Sequence, residues 1–123
     1  MVLRIETVTI DARDPLELAR FWSAALGWEH RMDEDEDGDV WVEPGSRHPD
    51  YETSRPLLFQ AVPESKSVKN RIHLDLRPDD QDLEVERLET LGAVRVSVGQ
   101  SGVEGWLVLA DPEGNEFCVL GDT

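Results

Sequence analysis

The stretch RIHLDLRPDDQDLEVERLETLG, residues 71–92, contains the pattern that decides the fold. Its first half alternates with period two, which is typical of a β-strand with one buried face. Its second half has apolar residues at helical spacing and ends in Gly92, a common helix stop. We expect four residues to form the buried face of this helix: Leu83, Val85, Leu88 and Leu91.

The same order of elements occurs once before, nearer the N-terminus. Residues 3–11 alternate as a strand, and a helix is predicted over 15–26, with Asp14 as N-cap and Pro15 in the first turn. Each helix ends in Leu-Gly, and the two leucines stand at positions 26 and 91, a repeat near 65 residues. A repeat of this length indicates two related modules, about 1–65 and 66–123, in a single domain.

Three further strands are predicted after each helix. After the first they cover 28–32, 39–43 and 57–62, and after the second 93–98, 105–111 and 116–120. DPEGN at 111–115 has the composition of a tight turn. The expected fold is therefore α+β, with two tandem βαβββ modules. Each module leaves one sheet face uncovered, so we expect the two curved mixed sheets to pair and enclose a cavity.

Charge and composition restrict the choice of partners. The net charge is −15, with 27 acidic against 12 basic residues, so nucleic acid and anionic membranes are poor partners. Cys118 is the single cysteine, which excludes an intramolecular disulfide. No apolar run approaches the roughly 20 residues that span a bilayer, and the N-terminus lacks signal-peptide features. These features predict a cytoplasmic protein.

Three motifs carry a family resemblance over essentially the whole chain. They are TVTIDARDPLELARFWSAALGW (7–28), NRIHLDL (70–76) and DPEGNEFCVL (111–120). In this order they resemble the vicinal oxygen chelate superfamily, which includes glyoxalase I, extradiol dioxygenases and bleomycin-resistance proteins, and more narrowly its glyoxalase-like domain subgroup. This superfamily hosts many chemistries on one fold, so function has to be argued from the site.

The resemblance implies four metal-ligand positions, which fall on Thr7, Gln60, His73 and Cys118. Threonine is a poor ligand for a transition metal, the Gln60 carbonyl oxygen is a weak one, and Cys118 stands where the family has a glutamate. The expectation is therefore no catalytic metal. The alternative is a divalent ion such as Zn, Ni, Mn or Fe, held by His73, Gln60, Glu116 and Cys118.

His73 and Cys118 each have two interpretations. His73 is expected to face the cavity with Arg71 and Asp75, while Ile72 and Leu74 pack against the helix. It is either a structural histidine or a catalytic one, acting as a general base tuned by the nearby carboxylate. Cys118 is either a small buried hydrophobic residue or a nucleophile.

The tryptophans favour an organic ligand. Trp41 and Trp106 are candidates for lining an aromatic cavity, which in an acidic protein suits a planar or cationic molecule. The expected ligand-binding residues are Thr7, Thr9, Trp41, Gln60, Arg71, Asp75, Trp106 and Cys118. The predicted function is small-molecule binding of the resistance or sequestration type, in a homodimer implied by the resemblance. The alternative is a metal-dependent or His73-based lyase or isomerase related to glyoxalase.

Overall fold

The computed structural model describes residues 2–96 and 105–121. The chain forms two compact units, Met1–Ser65 and Lys66–Thr123. Neither of the two helices among the described residues is long and apolar enough to cross a membrane.

The first unit contains one helix and a four-stranded mixed sheet. Its elements are β1 (Val8–Ala12), α1 (Pro15–Leu26), β2 (Glu29–Met32), β3 (Val40–Glu43) and β4 (Leu57–Ala61). The strand order is β1-β4-β3-β2, with β1 and β4 parallel and the other neighbours antiparallel.

Helix α1 has both of its predicted ends. The Asp14 carboxylate accepts a hydrogen bond from the Glu17 amide at 3.1 Å, which satisfies a donor of the first turn. Gly27 ends the helix with a φ of 70°, a left-handed conformation that glycine adopts without steric cost. The helix buries an apolar face in the unit's core, which comprises Leu18, Ala19, Phe21, Trp22, Val40, Val42 and Phe59.

The second unit repeats this arrangement. Its elements are β5 (Asp75–Leu76), α2 (Gln81–Leu91), β6 (Val94–Arg95), β7 (Trp106–Ala110) and β8 (Glu116–Leu120). The strand order is β5-β8-β7-β6, with β5 and β8 parallel. Two mixed sheets and two helices confirm the predicted α+β class. The core of this unit includes Val85, Leu88, Leu109, Phe117 and Val119.

Strand β5 is much shorter than the predicted strand, and side chains on both sides of it bind β8. Before it, the Asn70 side-chain amide donates to the Glu116 carbonyl at 2.9 Å. After it, Arg77 donates to the Gly121 carbonyl at 2.7 Å and Gln81 donates to the Val119 carbonyl at 3.1 Å. Side-chain hydrogen bonds therefore replace much of the backbone ladder that a longer strand would form.

Several local predictions were wrong. His73 precedes β5 instead of lying within a strand, and Ile72 is 80% exposed instead of packing against the helix. Strand β1 begins only at Val8. Leu83 is 63% exposed, because the Asp80 N-cap places it in the first turn, ahead of the buried pair Val85 and Leu88. The last predicted residues of strand 93–98, numbers 97 and 98, lie outside the described residues.

The DPEGN turn between β7 and β8 is organised by the buried carboxylate of Asp111. This carboxylate accepts hydrogen bonds from the Glu113 amide, the Asn115 amide and the Asn115 side chain, all between 3.0 and 3.1 Å. Since the turn connects two strands whose pairing spans Trp106 to Ala110, it also supports their register.

Replacing Asp111 by alanine removes this acceptor and leaves part-buried donors without it. We expect Asp111→Ala to lower the free energy of unfolding by about 2–3 kcal/mol, measured by urea denaturation. Asp79→Ala, at an exposed aspartate before α2, is the matched control and should change it by less than about 0.5 kcal/mol. Equal effects of the two substitutions would contradict this role of Asp111.

Candidate functional site

A pocket of about 330 Å³ lies on the sheet of the second unit. Three neighbouring strands build its floor, because Asp75 on β5 pairs with Cys118 on β8, and Cys118 pairs with Val108 on β7. Residues paired directly across strands point to the same face of a sheet. The pocket is lined by Lys69, His73, Asp75, Trp106, Val108, Glu116, Phe117, Cys118 and Leu120.

His73 and Asp75 form a contact pair at the edge of the pocket. The distance from His73 Nε2 to Asp75 Oδ1 is 3.2 Å, and the two side chains are 48% and 53% exposed. A carboxylate at this distance orients the imidazole and favours one tautomer. The predicted shared face of these two residues is thus present as a direct contact, although His73 lies outside β5.

Cys118 is buried beside this pair, directly across from Asp75 on the neighbouring strand. One donor atom from each of His73, Asp75 and Cys118 lies within 4.8 Å of the other two. Burial raises the pKa of the Cys118 thiol above its ordinary value, and the charge and hydrogen bond of Asp75 raise it further, against a smaller opposing effect of Lys69. The thiol is therefore protonated at neutral pH, whereas a nucleophilic cysteine requires a lowered pKa.

Glu116 lines the pocket but is already bound. Its Oε2 lies 2.8 Å from Lys66 Nζ, and its side chain is 12% exposed. The Asn70 amide donates to Oε1 at 3.4 Å. Burial alone raises the pKa of Glu116, but the hydrogen bonds and the charge of Lys66 outweigh it, and the pKa lies below its ordinary value. Glu116 is thus a charged structural residue.

The remaining predicted ligand residues of the first unit belong to β1, β3, β4 or the segment before β1. Thr7 is half-buried, and Thr9 and Gln60 are exposed. The Trp41 indole N–H donates to Asp33, and the Arg31 guanidinium carbon lies 5.4 Å from the Trp41 ring centroid. Both the polar atom and one face of Trp41 therefore have partners within the first unit.

In the second unit, sequence reasoning named six residues of the neighbourhood, including the Glu116 described above, and missed others. Asp75, Trp106 and Cys118 line the pocket with His73, whereas Arg71 is exposed and does not line it. The missed lining residues are Lys69, Val108, Phe117 and Leu120. The alternation of β8 places Leu120 and Cys118 on one face and was available in the sequence, but Val108 joins them only through the β7–β8 register.

Comparison with known families identifies the fold. A family model described as a glyoxalase-like domain matches residues 7–120. The chain belongs to the glyoxalase-like domain family. A search of curated proteins found no match.

Solved structures similar in fold match nearly the whole chain at low sequence identity. An enzyme of the glyoxalase/bleomycin resistance protein/dioxygenase family from Burkholderia phytofirmans PsJN is 18% identical with a TM-score of 0.70, over 96% of this chain and 98% of that one. An antibiotic-binding protein, TnmS3 from Streptomyces sp. CB03234, is 18% identical with a TM-score of 0.64, over 99% and 98%. The E126Q mutant of the fosfomycin resistance protein FosX from Listeria monocytogenes, complexed with Mn(II) and 1S,2S-dihydroxypropylphosphonic acid, is 13% identical with a TM-score of 0.72, over 100% and 93%. These similarities show the fold alone.

The ligand set that the family resemblance implies does not suit Mn²⁺ in this glyoxalase-like chain. Mn²⁺ prefers carboxylate and imidazole donors, and the implied positions supply one imidazole, a hydroxyl, an amide and a thiol at Thr7, Gln60, His73 and Cys118. The carboxylate of Glu116 is held in the ion pair with Lys66. The four implied positions therefore lack the carboxylate that a Mn²⁺ site requires.

The Glu116–Lys66 pair predicts a pH-dependent contribution to stability. Because the folded-state pKa of Glu116 is depressed below 4.5, its contribution is present above that pH and is lost as the pH falls through the folded-state pKa. We expect Glu116→Gln to lower the free energy of unfolding by about 1–3 kcal/mol at pH 7, with a smaller difference from wild type at pH values below 4. Urea denaturation at several pH values measures this.

Glu64→Gln, at an exposed glutamate of the first unit, is the matched control and should show little change at either pH. A Glu116→Gln difference that stays constant down to the lowest pH would show that the charge of Glu116 is not what stabilises the fold.

Proposed function

We propose that this glyoxalase-like protein binds a small planar organic molecule in the pocket of the second unit, as a binding or sequestration protein without a catalytic metal. The observation that carries the proposal is the composition of the pocket. Trp106, Val108 and Leu120 share the face of Cys118 and supply an apolar wall, and His73 with Asp75 supplies a polar edge. Mostly apolar pockets with a few placed polar groups are typical of small-molecule sites.

The size of the pocket suits a compact ligand. Its volume of about 330 Å³ lies at the lower end of the range of roughly 300–1,000 Å³ for ligand pockets. Trp106 is 41% exposed and offers ring area for stacking. The volume therefore favours a ligand of two or three fused rings over a large macrocycle.

Charge favours a neutral or cationic ligand. Asp75 carries the negative charge at the polar edge, and the net charge of −15 attracts cations to the surface as a whole. Lys69 opposes this locally, so the cationic group of the ligand belongs on the Asp75 side of the pocket. Two structural neighbours, an antibiotic-binding protein and a fosfomycin resistance protein, support a small molecule as the class of ligand.

A second candidate is a His73-based lyase or isomerase. The 3.2 Å contact between His73 and Asp75 favours it, because a carboxylate-oriented imidazole is a common general base. The raised pKa of Cys118 gives no support to thiol nucleophilic catalysis in either candidate. A homodimer and a cytoplasmic location stay predictions, and size-exclusion chromatography with light scattering tests the first.

A thermal-shift screen of planar compounds, followed by titration, tests the binding proposal. Proflavine and anthracene-9-carboxylate are a reference pair of three-ring molecules with opposite charge. We expect proflavine to bind more tightly, and Trp106→Ala to raise its dissociation constant at least tenfold, or about 1.4 kcal/mol. Tyr51→Ala, at an exposed aromatic residue of the first unit, is the control and should leave binding unchanged.

Trp41→Ala in the same titration tests the wider cavity predicted from sequence. Loss of binding with Trp106→Ala alone limits the site to the second unit, and loss with both variants extends it to Trp41. Binding that survives Trp106→Ala, or a panel in which no compound raises the melting temperature, contradicts the proposal.

His73→Ala separates the two candidate functions. If the protein is a binder, we expect a modest loss of affinity and no turnover of any bound compound by wild type. A reaction catalysed by wild type and slowed by roughly 10²–10⁴-fold in His73→Ala would instead establish the general-base enzyme. Product formation by mass spectrometry is the readout, and His30→Ala, at an exposed histidine of the first unit, is the control.

A further inference from the structure

Three different metal-binding side chains meet in the wall of the pocket. They are the imidazole of His73, the carboxylate of Asp75 and the thiol of Cys118, and one donor atom of each lies within 4.8 Å of the others. All three belong to the second unit, and all three line the pocket. This set shares His73 and Cys118 with the positions that the family resemblance implies, but Asp75 of the same unit takes the place of Thr7 and Gln60 of the first unit.

The spacing of these atoms is close to that of a tetrahedral zinc site. With Zn–N and Zn–O distances of about 2.0–2.1 Å, two ligands of a tetrahedron lie roughly 3.3 Å apart. His73 Nε2 and Asp75 Oδ1 are 3.2 Å apart. With a Zn–S distance of about 2.3 Å, the sulfur of a tetrahedral site lies roughly 3.6 Å from the other ligand atoms. The three donor atoms here lie within 4.8 Å of one another, so small side-chain rotations bring Cys118 Sγ to that distance.

The backbone holds two of the donors and leaves the third adjustable. Asp75 and Cys118 are opposite each other on paired strands, and the Cys118 amide donates to the Leu74 carbonyl at 2.9 Å. His73 precedes the strand and its side chain is half-exposed, so its ring can rotate toward an ion. The arrangement therefore needs no change of fold to bind a cation.

The charge balance also suits a thiophilic divalent cation. Asp75 is negative, and coordination of Cys118 releases the thiol proton to solvent and leaves a thiolate, so the ion meets two negative ligands and one neutral imidazole. Among the pocket residues that the structure describes, Lys69 is the one whose positive charge repels the cation. A thiolate with imidazole and carboxylate selects Zn²⁺ over Mn²⁺ or Mg²⁺.

We propose that the chain binds Zn²⁺, or a cation of similar softness, through His73 Nε2, an Asp75 oxygen and Cys118 Sγ, with the fourth position open to the pocket. The site shares a wall with the organic-ligand pocket, but it does not rest on the proposed function, since binding of the ion requires no organic molecule. Three protein ligands and one open position allow exchange with solvent or a second ligand.

Cobalt titration of tag-free protein tests the site directly. The protein is treated with EDTA, desalted, and titrated with Co²⁺ in the absence of any organic compound. We expect visible d–d bands of tetrahedral Co²⁺ and a near-ultraviolet sulfur-to-cobalt charge-transfer band, both saturating at a single equivalent. Added Zn²⁺ should abolish both, and Zn²⁺ should raise the melting temperature.

Variants assign the ligands. Cys118→Ser should abolish the charge-transfer band, and the near-isosteric Asp75→Asn should weaken Co²⁺ binding at least tenfold, since loss of even an outer partner of a ligand costs about 10–100-fold. His73→Ala should have a similar effect. Asp79→Asn and His30→Ala, at exposed residues outside the pocket, are matched controls and should leave the titration unchanged.

Two results overturn the proposal. One is Co²⁺ binding without a charge-transfer band, and the other is binding that is equal in wild type, Cys118→Ser and Asp75→Asn. Either shows adventitious binding by the acidic surface. Proflavine binding is measured in a separate titration with EDTA present. Failure of the cation site and failure of the organic-ligand proposal are therefore distinguished.

Discussion

The site of this protein depends on the parallel pairing of β5 with β8. That register places Asp75 opposite Cys118, and the antiparallel partner β7 adds Val108 on the other side of Cys118. A shift of one residue would turn these side chains to the other face, where Phe117 and Val119 are buried. Since β5 has only two residues, the flanking bonds of Asn70 and Gln81 to β8, and of Arg77 to Gly121 just after β8, add to the few backbone bonds that hold this register.

Part of the acidic charge serves the fold. Asp14 and Asp80 cap helices, Asp111 organises a turn, and Glu116 is paired with Lys66. In the acidic run DEDEDGD (33–39), between β2 and β3, hydrogen bonds from the backbone amides of Glu36 and Asp35 and from the Trp41 indole lower the pKa of Asp33. These five carboxylates have partners within their own unit, so they are not candidates for binding a ligand. Asp75 differs from them because it lies in the pocket wall beside His73 and Cys118.

Local patterns predicted the class of fold and the helices, because capping and apolar spacing are properties of neighbouring residues. They failed where tertiary contacts decide the outcome. Strand β5 has only two residues and Asn70 bonds to β8 through its side chain, while Leu83 lies in the exposed first turn of α2. His73, Asp75, Trp106 and Cys118 were recognisable as chemistry-bearing residues. Their proximity to Val108 depends on which strands pair and in which register, and local sequence patterns do not reveal this.

The most direct test of the account is backbone-amide chemical-shift mapping of the isotope-labelled protein with proflavine. The account predicts saturable shifts centred on Val108, Cys118 and Leu120, the pocket residues of β7 and β8. Shifts centred instead on α2, around Val85 and Leu88, or confined to the acidic residues 33–39, would contradict it.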